Sequence, residues 1–314
     1  MNYSIPGKTF LVGEYAALLG GGALGLATQP CFQVSYKKNI NSSVNSTSCP
    51  FHVDSPAGRL FLQKKELFRN TEIYFFDPYQ GQGGFGGSTA EFLSILGPQL
   101  EGIECQVSLK QAVIADYKKM HPQGLQPSGY DLLFQLMGEV AYVDVTNNKY
   151  ESMNWPFLNL KFAIVSTGVK QKTHEYLKQL KQEQLVGLAE LSGSAVKAFL
   201  NQNESDFLKN LSVWVDELRQ RSFITSHSLE LKQKLESHPE VLLVKPCGAM
   251  GSDTLLVFYR PENANFIFKA LEKLNLKSIA TTDDLTMGLI EQFKRARKLG
   301  LEQINNVQRS TNVD

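Results

Sequence analysis

Hydrophobic and polar positions repeat with different periods along the chain, and each period predicts a type of element. In the first half, short runs rich in β-branched and aromatic residues predict strands. These strands are predicted at Phe32–Tyr36, Arg59–Gln63 and Glu72–Phe76. Apolar residues at helical spacing predict helices from Ser88 to Leu96 and over residues 105–119, and the Ser- and Asn-rich residues 39–50 predict a loop.

The pattern changes after residues 147–159, which read as a connector between two domains, 1–158 and 159–314. Beyond it the predicted order is strand, helices, strand, strand, helix, strand, which is the order of a ferredoxin-like fold. The strands are Leu160–Val165, Val241–Val244, Thr254–Tyr259 and Lys277–Ala280. The helices span 173–236 with breaks near 201–205 and 221–225, then Pro261 to Lys273, and finally Asp284 to Leu299. The fold class is therefore α+β.

The amino-acid composition of the chain indicates which kinds of molecule it binds. The chain has 314 residues, 42% of them apolar, and a formal net charge of +1. A near-neutral balance gives no sign of a nucleic-acid or membrane partner, and a small-molecule substrate fits it better. No apolar run is long enough to cross a membrane and the first residues do not resemble a signal peptide. The cysteines at 31, 49, 105 and 247 have no motif spacing, so we expect reduced thiols in a cytoplasmic protein.

Glycine-rich loops carry the candidate chemistry. The Gly7-Lys8-Thr9 tripeptide is not a P-loop, because that motif needs a glycine five residues before Gly7 and the chain has Asn2 there. The run from Gly81 to Gly86 satisfies the dinucleotide-binding pattern G-x-G-x-x-G. That fold also needs an acid at a strand end about twenty residues later. Glu101 and Glu104 are the candidates, and neither ends an evident strand.

Three such stretches occur in a fixed order. They are Pro6-Gly7-Lys8 with Gly13-Glu14-Tyr15, then Gly84-Phe85-Gly86-Gly87-Ser88-Thr89-Ala90, then Lys245-Pro246-Cys247-Gly248-Ala249-Met250-Gly251-Ser252-Asp253. The ordered trio resembles the motifs of the GHMP kinases, a superfamily of galactose, homoserine, mevalonate and phosphomevalonate kinases. The resemblance implies an N-terminal domain like the second domain of ribosomal protein S5 and a C-terminal ferredoxin-like domain. It also implies ATP and Mg²⁺ as cofactors.

The second loop is suited to phosphate. Glycines let backbone N–H groups converge on an anion, and the helix that follows adds free N–H groups and a positive dipole end. The predicted ATP-binding residues are Gly83, Gly84, Gly86, Gly87, Ser88 and Thr89. The resemblance implies that the Ser88 hydroxyl reaches a phosphate or the metal ion. The same residues also suit a tight turn in which Ser88 caps the helix.

Lys8 and Asp131 are the predicted catalytic residues. An ammonium near the acceptor hydroxyl or the γ-phosphate would stabilise developing negative charge. Asp131 lies in Pro127-Ser128-Gly129-Tyr130-Asp131, which is similar to the Pro-Ser-Gly-x-Asp of mevalonate-type kinases. There the aspartate sits beside the lysine, so the resemblance implies a base or an electrostatic partner of Lys8. Without the resemblance, Lys8 reads as a solvated turn residue and Asp131 as a first-turn residue of a helix.

The remaining predicted site residues would hold the substrate or its phosphate. They are Glu14, Ser128, Lys170, Gly248, Ala249, Gly251 and Ser252. For Lys170, a surface lysine after a strand is the competing interpretation. The chain also departs from the family pattern. Met120 occupies the position of the metal-binding glutamate of mevalonate kinases, eleven residues before Asp131, and Asp116 is the nearest upstream acid. Gly87 replaces a serine, and Met250 and Ser252 stand where the family usually has glycines.

The resemblance is closest to the mevalonate and phosphomevalonate kinase branch, because Gly-Glu-Tyr and the third loop look like phosphomevalonate kinase. We therefore expect transfer of the ATP γ-phosphate to a mevalonate-pathway intermediate. A sugar or homoserine kinase and diphosphomevalonate decarboxylase remain open. So does a homologue that binds a nucleotide or metabolite without catalysis, which the Met120 and Met250 departures would favour. The sequence allows a homodimer and does not identify the acceptor.

Overall fold

The structure is a computed structural model that describes residues 2–38, 48–100, 107–121, 126–169, 180 and 182–299. The described residues form two antiparallel sheets. The first contains β1 (Asn2–Val12), β2 (Ala23–Lys38), β3 (Thr71–Phe76), β4 (Val140–Asp144) and β5 (Lys149–Met153). Because β2 is 16 residues long, one of its edges pairs with β1 while the other accepts both β4 and β3.

Helices of the first half cover this sheet and lead into the predicted site. They are α1 (Pro56–Gln63), α2 (Gly87–Leu100), α3 (Val107–Lys119) and α4 (Tyr130–Met137). The predicted helix from Ser88 to Leu96 is confirmed, as is the strand at Glu72–Phe76. Of the helix predicted over 105–119, residues 107–119 are confirmed, and residues 105 and 106 lie outside the described part of the chain.

Two predictions for the first half are wrong. Arg59–Gln63 is the end of helix α1, not a strand. The Ser55 hydroxyl accepts a hydrogen bond from the Gly58 N–H, and Pro56 occupies the first helical position, so the start signal of a helix outweighs a short apolar run. The connector predicted at 147–159 contains β5, which pairs with β4. The period of so short a strand with mostly exposed side chains is too weak to recognise.

The second sheet contains β6 (Lys161–Ser166), β7 (Val241–Cys247), β8 (Thr254–Tyr259) and β9 (Lys277–Thr281). Its spatial order is β7-β8-β6-β9, and every neighbouring pair is antiparallel. The helices are α5 (Leu188–Leu200), α6 (Glu204–Gln220), α7 (Ser226–Glu236), α8 (Ala264–Lys273) and α9, residues 289–299. This arrangement confirms the ferredoxin-like prediction.

Boundaries in this half differ little from the predicted ones. The breaks expected near 201–205 and 221–225 separate α5, α6 and α7, while most of residues 173–181 lie outside the described part of the chain. Pro261 opens a short 3-10 turn before α8 begins. The last helix starts at residue 289 rather than at Asp284, because residues 282–284 form a separate 3-10 turn. Thr281 is the N-cap of that turn.

The two halves pack on one another through apolar side chains. Helices α7 and α8 cover one face of the second sheet, with Leu235 and Ile267 in its core. The other face packs on α5 and α6. Trp214 of α6 is fully buried in the larger apolar core, which also includes residues of the first sheet. Tyr15 stacks on Phe223 across the junction, with ring centroids 4.4 Å apart. The domain boundary at 158/159 stays a prediction, although the strands of the two sheets lie on either side of it.

Two further expectations bear on the class of protein. Within the described ranges, none of the helices has the length and apolar character needed to cross a bilayer. Cys31, Cys49 and Cys247 form no disulfide, and Cys105 lies outside the described residues. Burial raises the pKa of the Cys31 and Cys247 thiols to about 11, so both resist conversion to the reactive thiolate.

Candidate active site

The centre of the site is an ion pair between strand β1 and helix α4. Nζ of Lys8 lies 2.9 Å from Oδ2 of Asp131, and Lys8 is only 7% exposed. Asp131 is in the first turn of α4, after Gly129 turns the chain in a left-handed conformation. The structure thus brings together the two predicted catalytic residues. Oδ1 of Asp131 is buried and has no hydrogen-bond partner among the described residues, so this oxygen can still accept a proton or a hydrogen bond.

The second glycine loop is fastened directly to the strand that carries Lys8. The Lys8 N–H donates to the Phe85 carbonyl at 3.0 Å. Gly86 has a positive φ of 82°, and a Cβ on it would lie 2.7 Å from Cγ of Lys8. Only glycine accepts both the backbone angle and this close approach without strain. The loop therefore depends on Gly86 to reach the lysine.

Helix α2 begins where this loop ends. The Gly86 carbonyl accepts the first helical hydrogen bond, from the Ala90 N–H at 2.9 Å. Gly87, Ser88 and Thr89 therefore lie in the first turn, where N–H groups have no intrahelical acceptor and the helix dipole is positive. The alternative in which Ser88 caps the helix is wrong, because Gly86 occupies the cap position. The N–H groups of this turn can bind an anion such as phosphate.

Ser88 also interacts with Tyr117 of helix α3. Tyr117 is buried, and burial raises the pKa of its phenol above the usual range, an effect that the hydroxyl of Ser88 opposes. The negative charge of Asp131 raises the pKa of the Tyr117 phenol further, so Tyr117 is within electrostatic reach of the Lys8–Asp131 pair. Tyr117 is therefore a buried neighbour of the serine to which the resemblance assigns phosphate or metal binding.

The third loop lies against the second. A Cβ on Gly84 would come within 2.9 Å of Cγ2 of Thr254 and 3.1 Å of Cβ of Asp253. Within the third loop, the Gly251 N–H donates to the Gly248 carbonyl at 3.0 Å, and Ala249–Gly251 form a 3-10 turn. The loops predicted from distant parts of the sequence therefore meet where the two halves of the molecule join.

Polar contacts hold the third loop in place. The Thr167 hydroxyl donates to the Ser252 carbonyl, and the Asp253 carbonyl lies 3.1 Å from the same hydroxyl oxygen. Met250 has a left-handed backbone, with φ 53°, and its carbonyl accepts from the Thr225 N–H at 3.0 Å. A non-glycine residue in this conformation is strained by about 1 kcal/mol or more. Ser252 is fully buried, so its side chain supports the loop from within.

Glu14 has a partner that sequence reasoning did not predict. Its Oε1 lies 2.7 Å from Nζ of Lys245, a fully buried side chain on β7. Burial alone would lower the pKa of Lys245, but the neighbouring Cys247 and Glu14 raise it above its usual value, so the lysine stays charged. Oε2 of Glu14 has no hydrogen-bond partner among the described residues. This buried pair ties the turn after β1 to β7, the strand that leads into the third loop.

Some of the predicted site residues are not placed at the Lys8–Asp131 pair. The Ser128 hydroxyl accepts from the Tyr130 N–H at 3.3 Å, so it shapes the start of α4. Lys170 lies outside the described residues. Met120 is buried at the end of α3, and Asp116 on the same helix pairs with Lys119 at 3.4 Å.

Gln135 and Tyr117 were missed by the sequence analysis. Gln135 is fully buried, and its amide contacts Pro6, Gly86 and Thr89. Its signal was a polar residue in the interior of a helix that is apolar apart from Asp131, four positions earlier, and such a residue must find hydrogen-bond partners when buried. Tyr117 gave no comparable signal, because a tyrosine on an apolar helix face is common.

Comparison with solved structures identifies the fold. Over 90% of this chain and 99% of the other, it is similar to the phosphomevalonate kinase of Streptococcus pneumoniae in complex with phosphomevalonate and AMPPNP, with TM-score 0.69 and 14% identity. The mevalonate kinase of Methanococcus jannaschii matches over 90% and 97% of the two chains, with TM-score 0.64 and 15% identity. The galactokinase of Lactococcus lactis complexed with galactose matches over 91% and 93%, with TM-score 0.67 and 14% identity. No protein-family model and no curated protein sequence matches this chain. The chain has the two-domain GHMP kinase fold.

Proposed function

We propose that this chain is an ATP-dependent kinase that transfers the γ-phosphate to a hydroxyl or phosphate group of a small molecule. The observation that carries the proposal is the contact of Lys8 with Asp131 at 2.9 Å. Lys8 lies on β1, and its backbone N–H is hydrogen-bonded to the second glycine loop. Phosphoryl transfer needs chiefly positioning and neutralisation of charge. A cation, a carboxylate and a helix N-terminus at one place supply both.

Each group has a role in the proposed mechanism. The first turn of α2 binds the ATP phosphates through its N–H groups, including that of Thr89, with the Ser88 hydroxyl beside them. Lys8 stabilises the negative charge that develops on the transferred group. Asp131 holds Lys8 in position and accepts the proton of an acceptor hydroxyl through a carboxylate oxygen. The third loop closes the site from the other half of the molecule.

A magnesium ion fits this site with few protein ligands. No group of three or more acidic, histidine or cysteine side chains is placed to hold a metal among the described residues. Ser88 is the available hydroxyl beside the helix N-terminus. Because Mg²⁺ commonly keeps several waters and binds through substrate phosphates, a single hydroxyl is compatible with it. The ion would neutralise phosphate charge, while this chain's own residues position the groups that react.

We propose a mevalonate-pathway intermediate as the acceptor. Support comes from the Gly-Glu-Tyr and Pro-Ser-Gly-x-Asp stretches and from the similarity in fold to a phosphomevalonate kinase and a mevalonate kinase. The similarity to a galactokinase keeps a sugar acceptor as the second candidate. The free thiols of the described cysteines are consistent with a cytoplasmic location.

The test is a substrate panel with the purified full chain. Mg²⁺-ATP is supplied with mevalonate, 5-phosphomevalonate, 5-diphosphomevalonate, galactose or homoserine, and ADP, CO₂ and product mass are followed. We expect ADP and a phosphorylated product with mevalonate or 5-phosphomevalonate. CO₂ from 5-diphosphomevalonate would instead identify a decarboxylase. Nucleotide binding without turnover on any acceptor would contradict the kinase proposal and favour a non-catalytic homologue.

A further inference from the structure

Gln135 is a buried polar side chain without a role in the mechanism above. It lies on α4, one helical turn after Asp131, and is fully buried. Burying an amide costs free energy unless its donors and acceptor are paired. A residue of the same size without polar atoms would fill this position at lower cost, so the contacts of the amide explain its presence.

All parts of the Gln135 amide are hydrogen-bonded. Nε2 donates to the Pro6 carbonyl at 3.0 Å and to the Gly86 carbonyl at 3.2 Å. Oε1 accepts from the Thr89 hydroxyl at 2.6 Å. A glutamine amide has two N–H donors and one carbonyl acceptor, so each is used. One side chain thus contacts the strand of Lys8, the second glycine loop and the first turn of α2.

These contacts fix the direction of one peptide group. The Gly86 carbonyl accepts from Nε2 of Gln135 at 3.2 Å and from the Ala90 N–H at 2.9 Å, so it is held toward the protein. A trans peptide places its N–H opposite its carbonyl. The N–H of Gly87 therefore points away from Gln135.

The preceding peptide is held in the same way. The Phe85 carbonyl accepts from the Lys8 N–H at 3.0 Å, so the N–H of Gly86 points away from β1. Consecutive N–H groups that converge form a concavity for an anion. Glycine can rotate its peptide groups easily, and a rotated Gly86 carbonyl would place negative charge where the phosphate binds.

We infer that Gln135 is a positioning residue for nucleotide phosphate, which acts by holding the Gly86 carbonyl inward and so directing the Gly87 N–H toward the phosphate. This inference rests on the proposed function, since it assumes that the second loop binds ATP. Gln135 itself contacts no phosphate. Its contribution is to ATP affinity rather than to the chemistry of Asp131.

The experiment measures equilibrium binding of a fluorescent ATP analogue to the full chain. Gln135→Met keeps the volume and removes the hydrogen bonds. Gln292→Met is the matched control, because Gln292 also bonds the backbone of β1, with Nε2 donating to the Ser4 carbonyl at 2.8 Å and Oε1 accepting from the Ser4 N–H at 3.3 Å. Thr89→Val is a second variant, which removes the hydroxyl bonded to Gln135 if Gln135→Met does not fold.

We expect Gln135→Met to weaken nucleotide binding about tenfold, because a Gly86 carbonyl that is no longer held inward can turn toward the phosphate and the Gly87 N–H away from it. KM for ATP should rise while KM for the acceptor is unchanged. Thr89→Val should weaken binding in the same direction, and Gln292→Met should leave it unchanged. These results together support the positioning role.

Two results would overturn the inference. One is unchanged nucleotide affinity in Gln135→Met or, if that variant does not fold, in Thr89→Val. The other is an equal loss in Gln292→Met, which would indicate a general effect on β1. Failure of the proposed function is a separate outcome. A wild-type chain that binds ATP without transferring phosphate contradicts the kinase proposal while binding still tests Gln135, whereas a wild-type chain that does not bind ATP contradicts both.

Discussion

Lys8 on the first strand and Asp131 on α4 form an ion pair of 2.9 Å in which the lysine is almost fully buried. A cation that is removed from water must be paired, and the carboxylate supplies that partner. The pair keeps one buried carboxylate oxygen without a partner among the described residues. A charged pair with unused acceptor capacity suits proton transfer better than a purely structural role.

Neutralising either member of this pair should reduce catalysis strongly. Asp131→Asn removes the proton acceptor and Lys8→Met removes the charge that stabilises the transferred phosphoryl group. We expect kcat to fall about 10²- to 10⁴-fold in each. Steady-state kinetics on the accepted substrate measures the change. Lys161→Met is the control, because Lys161 pairs with exposed Asp283 at 2.7 Å on the surface and should retain wild-type kcat.

Full turnover in both Asp131→Asn and Lys8→Met would rule out the proposed mechanism. Circular dichroism of each variant checks that the loss reflects chemistry rather than unfolding.

Gly86→Ala should damage the site more than Gly81→Ala does. Both glycines have a positive φ, 82° and 79°, so alanine pays a similar backbone cost at either. A Cβ at Gly86 would also collide with Lys8 and Gln135, whereas nothing lies within 4 Å of one at Gly81. Urea denaturation and nucleotide affinity should both show the difference. Equal effects in the two variants would mean that the loop moves without cost and that the close approach to Lys8 is not required.

Breaking the buried pair between Lys245 and Glu14 should destabilise the fold. Lys245→Met leaves the Glu14 carboxylate buried without its cation, and we expect a loss of about 3–5 kcal/mol in the free energy of unfolding. The double variant with Glu14→Gln should recover much of that loss, because no uncompensated charge remains. Arg69→Met is the surface control. Arg69 pairs with Glu66 in an exposed position, and its loss should cost about 0–1 kcal/mol.

Chemical denaturation of the four proteins tests this. A double variant less stable than Lys245→Met alone would show that the pair contributes net attraction beyond compensating a buried charge.

Stability should fall as the solution becomes mildly acidic, in part through His121. Burial lowers the pKa of His121 below its ordinary 6.5, assisted by the charge of Arg59 and opposed by a hydrogen bond to the Tyr117 carbonyl. Between that lowered pKa and 6.5 the unfolded chain binds more protons than the folded one, so stability decreases as pH falls below 6.5. Above 6.5 this group contributes no pH dependence.

His121→Gln should therefore lose less stability than wild type between pH 7.5 and pH 5, as measured by urea denaturation at each pH. His52→Gln is the control, since the His52 side chain is 76% exposed. An identical pH dependence in wild type and His121→Gln would show that His121 is not desolvated in solution.

The two glycine loops and the proximity of Lys8 to Asp131 could be predicted because their signals are local or carried by motifs. Glycine at a sharp turn, a proline after the turn and apolar residues at a fixed period each act over a few residues. The ferredoxin-like order of the second half was predicted for the same reason. Arg59–Gln63 and the strand β5 were not predicted correctly, since a short run leaves the period ambiguous between helix and strand.

The amino-acid sequence was enough to predict which residues could bind phosphate and in what order the elements follow. It took the folded chain to show that Gln135 donates to the Gly86 carbonyl and that Lys245 pairs with Glu14. These partners are far apart in sequence, and their meeting depends on which faces of β1, α4 and β7 the apolar core brings together. The local period of apolar residues indicates which face of an element is buried. It does not indicate which side chain of another element packs against that face.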